Sequence, residues 1–285
     1  MVKVGASAPQ QGCRACKVHA CLSALGRAVV SVRKLLRSSV VSRFRVMTYN
    51  VHRCIGTDGK DSIASILRLC TDAEADLIAL QELDAPETDE DEGIHHARDL
   101  ASRLGMQLLF CRTFRRGVGY YGHALLSRYP IELKKVTTFP SPHEAAEPRG
   151  AIWARVTREH GRVDVLSTHL GVHRRERAMQ SLELVSNLWL GNPDFDNPCV
   201  LCGDLNAVPN ATTYRRIAAH LRDAQRSLPG HRPRATFPSR LPVLRLDHVF
   251  VSPDVRVRAI RVPYNGLSRR ASDHLPLVVD VDLNP

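Results

Sequence analysis

Short apolar runs punctuate the chain, and most of them end in one or two polar residues. In chain order the segments are VMTYNVH, LIALQEL, VLSTHLG, VLCGDLN, LRLDHVFV and ASDHLPLVV. They carry Asn50, Glu82, His169, Asp204 with Asn206, Asp247, and Asp273 with His274. A short apolar run bounded by turn-forming residues reads as a buried strand. From residue 43 the pattern predicts strands at 43–50, 76–81, 107–112, 122–127, 131–139, 150–157, 162–168, 199–203, 246–252, 255–262 and 275–281. Helical spacing predicts helices at 61–73, 93–104, 173–190 and 210–221, the first capped by Asp61. Strands outnumber helices and many are separated only by short turns. That favours mixed or antiparallel sheets with helices outside over a doubly wound parallel sheet.

A polar group at the tip of a buried strand needs a partner, because burying it unpaired costs roughly 1–3 kcal/mol. Tips rich in carboxylate, carboxamide and imidazole imply one shared polar site, suited to a hard divalent cation and phosphate chemistry. No linker divides 43–285, which reads as one domain; residues 1–42 read as an appendage. The acidic run Glu87 to Glu92 reads as a solvated loop. The segment from Ser227 to Arg240, with three prolines and Gly230, reads as a long surface loop near the site.

Charge changes this picture little. The net charge is +11, but residues 1–42 hold seven Lys or Arg and no Asp or Glu, which leaves +4 for the rest. A basic balance favours polyanionic partners, yet the part carrying the chemistry is only mildly basic. Residues 22–40 place Leu22, Leu25, Val29, Val32 and Leu36 at helical spacing among arginines and a lysine, which suits peripheral contact with an anionic membrane. A helix packed on the domain, read-through ahead of a true start and an organellar transit peptide fit the same residues. Cys13, Cys16, His19 and Cys21 offer zinc ligands in principle, but their spacing is too tight for a standard finger and the segment reads rather as a disordered tail. Cys54, Cys70, Cys111, Cys199 and Cys202 read as reduced, buried small hydrophobes of a cytoplasmic protein. No apolar stretch is long enough to span a bilayer.

Each polar tip also has an ordinary structural reading. Glu82 offers a hard oxygen ligand for Mg2+ or Mn2+, or is a solvated strand end. Asn50 orients a metal-bound water, or fills a turn. In GDLN, Asp204 and Asn206 share a face and can take a proton from water and hold phosphate; the same letters make an Asx-turn. His169 is a donor to a phosphoryl oxygen, or a histidine hydrogen-bonded in place. Asp247 can fix the tautomer of His274, while His248 points to the other side of the strand and is structural. Arg149 and Arg174 are candidate phosphate-binding cations, or surface arginines.

TYN, LIALQE, STHL, GDLN, RLD and SDHLP, in this order, resemble the endonuclease/exonuclease/phosphatase superfamily across nearly all of 43–285. The resemblance implies a four-layer sandwich, two packed mixed β-sheets flanked by helices. It implies that Glu82 is the main metal ligand, helped by Asn50 and Asp273. It further implies that Asp204 activates water with Asn206 positioning it, that His169 and His274 stabilise pentavalent phosphorus, and that Asp247 pairs with His274. Two departures speak against the abasic-site branch: His52 stands where those enzymes carry Asp, and Leu244-Arg245 where they tend to have Trp. YNVHRCIGTDGK, YGHALLSRYP, THLGVHRRERAMQ and ATFPSRLPVLRLD resemble a compact bacterial branch linked with phospholipid-synthesis enzymes, in which Arg174, Arg175 and Arg177 suit an anionic head group. The expectation is a monomeric, Mg2+- or Mn2+-dependent phosphoester hydrolase, acting on a lipid-derived or small phosphodiester. Its alternatives are a nonspecific or DNA-repair nuclease, and a non-catalytic membrane-attached binding protein on the same fold.

Overall fold

The computed structural model describes residues 43–87, 95–140, 147–195 and 197–283. The expectations for 1–42, and for all but the first residue of the acidic run, fall outside these residues. Two six-stranded mixed sheets form the body. The first has the order β11–β12–β1–β2–β4–β3, with β1 (Arg43–Asn50), β2 (Leu77–Pro86), β3 (Gln107–Arg116), β4 (Gly119–Ser127), β11 (Arg256–Arg261) and β12 (Leu277–Asp282). The second has the order β5–β6–β7–β8–β10–β9, with β5 (Ile131–Thr138), β6 (Gly150–Arg158), β7 (Gly161–His169), β8 (Cys199–Asp204), β9 (Arg222–Asp223) and β10 (Asp247–Val251). One parallel pair lies inside each sheet, β1 with β2 and β7 with β8.

Side-chain alternation builds the layers. In β1, Phe44 and Val46 enter the core between the sheets, while Met47 and Tyr49 face outward. In β8, Val200 and Cys202 join the inter-sheet core, and Cys199 and Leu201 face the other way. This separation of Cys199 from Cys202 is what the strand period of two demands. Helices α1 (Ile63–Ala73) and α2 (His96–Leu104) cover the outer face of the first sheet through Ile66, Leu69 and Leu100. Helices α3 (Arg174–Leu184) and α4 (Thr212–Ala218) cover the second, where Leu184, Trp189, Tyr214 and Ile217 pack on Leu166, Leu201 and Phe250. The expected four-layer sandwich is the observed architecture.

Several boundaries differ from the periodicity. Strand β2 runs on to Pro86. Helix α3 stops at Leu184, and a series of turns beyond it buries Trp189 against Phe139. The N-cap of α1 is Ser62, with the Asp61 carboxylate accepting from the Ile63 amide at 3.2 Å. Helices α5 (Ala224–Ser227) and α6 (Ser268–Ala271), the 3-10 turn His52–Cys54 and strand β9 are too short to leave a period. Among the described residues no helix is long and apolar enough to cross a membrane. Cys54, Cys70, Cys111, Cys199 and Cys202 are free and buried, and burial pushes their thiols up to about 12.

Between the apolar inter-sheet core and the site lies a polar rung of Thr48, Gln81, His123 and Ser167, all fully buried. Burial pushes the His123 imidazole down to about 3, against a weaker opposing pull from the Ser167 backbone. The unfolded chain, with an ordinary histidine value near 6.5, therefore binds the proton that the folded chain refuses. Stability is full above about pH 6.5 and falls as pH drops towards 3, by up to about 1.4 kcal/mol per pH unit for this one group. His123→Leu is expected to flatten the acid limb of a melting temperature–pH curve between about pH 6.5 and 4. An unchanged limb would count against a buried neutral His123.

Candidate active site

The same alternation that builds the core delivers the polar tips. Asn50 continues the inward-facing series Phe44, Val46, Thr48; His169 follows Val163, Val165 and Ser167; Asp204 follows Val200 and Cys202. Asp247 heads the inward series of Val249 and Val251. All four therefore arrive at one pole of the inter-sheet layer, where β8 and β10 set Asp204 directly opposite Asp247. Gly203 makes the approach possible. Its φ is +147°, and a Cβ there would stand 1.8 Å from the Thr168 carbonyl oxygen on β7.

Glu82 breaks the alternation. Strict period two would send it outward with Ile78 and Leu80. A bulge between Gln81 and Leu83, with φ of 62° at Glu82, instead turns its side chain to the site and returns Leu83 to the outer core. Glu82 thus sits at a kink within β2 rather than at a strand tip.

Asp204, 1% exposed, is the node. It accepts from Asn50 Nδ2 at 3.0 Å and from the Asn206 amide at 2.8 Å. The second bond closes an Asx-turn, so the structural and the chemical readings of GDLN both apply. Asn50 Nδ2 also donates to Glu82 Oε1 at 3.0 Å. His169 Nε2 and His274 Nε2 each stand 3.7 Å from Asp204 Oδ2. His274 Nδ1 lies 2.8 Å from Asp247 Oδ2, the expected pairing. His248 turns away, with Nε2 2.8 Å from the Ala207 carbonyl and its ring against Tyr214.

The two site histidines hold opposite charge states. Burial pulls both down. At His274 the carboxylates of Asp247 and Asp204 more than offset burial and lift the imidazole to about 10. At His169 the neighbour is the Arg149 guanidinium, Nη1 to Nδ1 at 3.5 Å, and it reinforces burial, driving the imidazole well below the ordinary range. Asn206 Nδ2 faces the other ring nitrogen of His169 at 3.3 Å. Burial raises the Asp204 carboxyl to about 7, with His274 the main opposing influence.

These groups open onto a cavity of about 530 Å3, lined by Glu82, Arg149, His169, Asp204, Asn206, Asp273 and His274 with several apolar residues. Arg149 is 5% exposed and anchored by Glu147 at 2.9 Å. Arg174 is exposed on the first turn of α3, and the arginine of that helix that lines the cavity is Arg177. The helical period held the signal. Glu176 and Gln180 bury one side of α3, which places Arg177 beside that face, held by the Gly171 carbonyl at 3.3 Å. At the position where abasic-site enzymes tend to have Trp, Leu244 lines the cavity, and Arg245 is buried against Asp223 at 2.7 Å.

Among the described residues one cluster holds grouped metal-ligand chemistry. Asp204, Asp247 and His274 bring one candidate atom each within 4.8 Å of one another. A cation there would compete with the protonated imidazole that already sits against both carboxylates. Glu82 and Asp273 instead turn carboxylate oxygens to the open cavity, with the Asn50 carboxamide beside Glu82.

Two expectations follow. Gly203→Ala should lower unfolding stability by at least about 3 kcal/mol, read from a urea midpoint, because the new methyl meets a backbone oxygen of the neighbouring strand. Asp247→Asn should return the His274 imidazole towards or below the ordinary histidine range in an NMR titration. A His274 that still titrates near 10 would show that Asp247 does not hold its proton.

Comparison with known proteins agrees with this fold. The chain is 28% identical over 261 residues to the uncharacterized protein YbhP of Escherichia coli (strain K12), an alignment covering 84% of this chain and 96% of YbhP. The crystal structure of an endonuclease/exonuclease/phosphatase from Bacteroides vulgatus superposes with a TM-score of 0.70 at 20% identity, covering 85% of this chain and 100% of that one. The mannosyl-6-phosphatase Bt3783 of Bacteroides thetaiotaomicron superposes with a TM-score of 0.68 at 18% identity, covering 84% and 99%. The model of the Endonuclease/Exonuclease/phosphatase family matches residues 47–274, and the chain belongs to that family.

Proposed function

We propose that this protein is a divalent-metal-dependent phosphoester hydrolase that favours phosphodiesters. One observation carries the reading. A buried carboxylate, Asp204, raised towards neutrality, lies between Asn50 and a protonated His274 at the base of a cavity whose wall carries Glu82 and Asp273. Membership of the family supports it.

In this reading Asp204 accepts the proton of the attacking water. A base whose pKa lies near the working pH combines ionisation with proton affinity. The Asn206 amide holds one Asp204 oxygen and Asn50 the other, so the carboxylate is oriented before substrate arrives. The imidazolium of His274 and the guanidiniums of Arg149 and Arg177 face the cavity as donors to phosphoryl oxygens gaining charge. Neutral His169 positions the Asn206 carboxamide and contributes a neutral ring to the wall. Asp247 keeps His274 charged and fixes its ring.

The donor set fits a hard cation. Glu82 and Asp273 are oxygen donors lining the cavity, as Mg2+ or Mn2+ requires, and the Asn50 amide nitrogen holds one Glu82 oxygen. When bound, such an ion supplies charge neutralisation for the leaving oxygen. The positive φ of Glu82 agrees, because strain of this kind is retained where it aims a functional group.

The test is hydrolysis of bis-p-nitrophenyl phosphate by the full chain with Mg2+. Asp204→Asn is expected to lower kcat about 10^2–10^4-fold, the range for loss of a general base. Glu82→Gln is expected to raise the Mg2+ concentration needed for half-maximal rate. Activity that survives Asp204→Asn would sink the mechanism, and loss confined to p-nitrophenyl phosphate would make the protein a monoesterase, as the name of the Bacteroides neighbour describes that protein. Cleavage of plasmid DNA, weakened steeply by salt, would instead mark a nuclease.

A further inference from the structure

The rim of the cavity is more apolar than a soluble substrate requires. Among the described residues, Leu241 is 71% exposed, Val243 68%, Val172 63% and Leu244 39%. Val172 and Leu244 line the cavity itself, together with Phe237, whose ring lies 4.8 Å from that of His274. Leu241 and Val243 stand three residues and one residue before Leu244 on the loop between α5 and β10, exposed beside the mouth.

This loop is braced. The Val243 and Leu244 amides donate to the Phe237 carbonyl at 2.9 and 2.8 Å, and the Ser239 amide donates to the Asp273 carbonyl at 2.6 Å. Ser239 Oγ donates to the Ser272 carbonyl at 2.6 Å, and Arg240 is tied to the Thr57 carbonyl at 3.0 Å. The aliphatic side chains at its tip are therefore held out in water by a fixed backbone, which is costly unless something covers them.

Charge selects the occupant. Residues 228–246 contain Arg232, Arg234, Arg240 and Arg245 and no Asp or Glu. Arg232, Arg234 and Arg240 are exposed, as are Arg269 and Arg270 on α6 nearby, and Arg269 donates to the Arg240 carbonyl at 3.2 Å. The adjoining turn 56–61 carries Asp58 and Asp61 with Lys60, so the surplus of cations belongs to the loop and α6. Leucine and valine flanked by arginine suit an acyl–headgroup boundary. They do not suit unpaired bases, which need aromatic stacking partners, and Tyr264 is the one exposed aromatic ring in this group.

The geometry points to a lipid-facing surface: the 231–244 loop and Val172 seat on an anionic phospholipid layer and present a phospholipid phosphodiester to the cavity. This inference rests on the hydrolase reading above and names its substrate class.

The full chain carrying Val243→Trp tests it. Trp153 and Trp189 are 4% and 0% exposed, so a tryptophan placed at 243 reports on the loop. With vesicles containing phosphatidylglycerol, the emission is expected to shift to the blue and to be quenched by lipids brominated in the acyl chain. The double variant Leu241→Asn, Val243→Asn is expected to sediment with such vesicles about a hundredfold more weakly, as loss of two buried aliphatic side chains requires. Unshifted emission overturns the proposal, even in protein that sediments, since another face would then be docking. Equal sedimentation of the double variant and wild type overturns it too, as does a shift caused by duplex DNA and not by vesicles. None of these readouts depends on turnover, so wild-type hydrolysis of the soluble diester judges the hydrolase reading separately.

Discussion

A carboxylate buried between two sheets needs donors from both, and the fold is arranged around that need at Asp204. Asn50 reaches it from the first sheet, the Asn206 amide from the second, and His274 from the turn before β12. An uncompensated buried charge costs several kcal/mol. The Asn50–Asp204 bond therefore joins the sheets at the pole where the cavity opens.

The inter-sheet layer changes character along its length without changing its rule. The inward series of β1 and β7 begin with Phe or Val, pass through the polar rung at Thr48 and Ser167 and end in the site groups Asn50 and His169. The two histidines at that end show how neighbours modulate the effect of burial. Burial pulls both down, but carboxylates override it at one and a guanidinium reinforces it at the other. A pair of like groups pushed to opposite protonation states gives a site both a cation and a neutral ring at one pH.

Much of this was legible from residue order. Apolar runs located the long strands, their polar tips pointed to a shared site at Asn50, His169, Asp204 and Asp247, and parity turned His248 away. The motif order matched the family. Glu82 was legible as a site residue but not as a bulge, because a bulge is one extra residue and leaves no mark on a hydrophobic run. Arg177 was named together with Arg174 and Arg175, equally charged neighbours, and only the burial of Glu176 and Gln180 singles it out. The 3-10 turn, β9 and the helices α5 and α6 are shorter than the periods that would reveal them. The apolar rim was invisible as such: Leu241, Val243 and Leu244 read as ordinary loop residues until the fold set them beside Val172.

The direction of β1 has a consequence for how the molecule meets a surface. Its last residue, Asn50, is at the site, and its first, Arg43, pairs with Asp282 at the other pole. Eight residues of strand separate the two ends by roughly 25 Å, at about 3.3 Å per residue. A surface bound at the mouth would thus lie a full strand's length from Arg43, at the far end of β1.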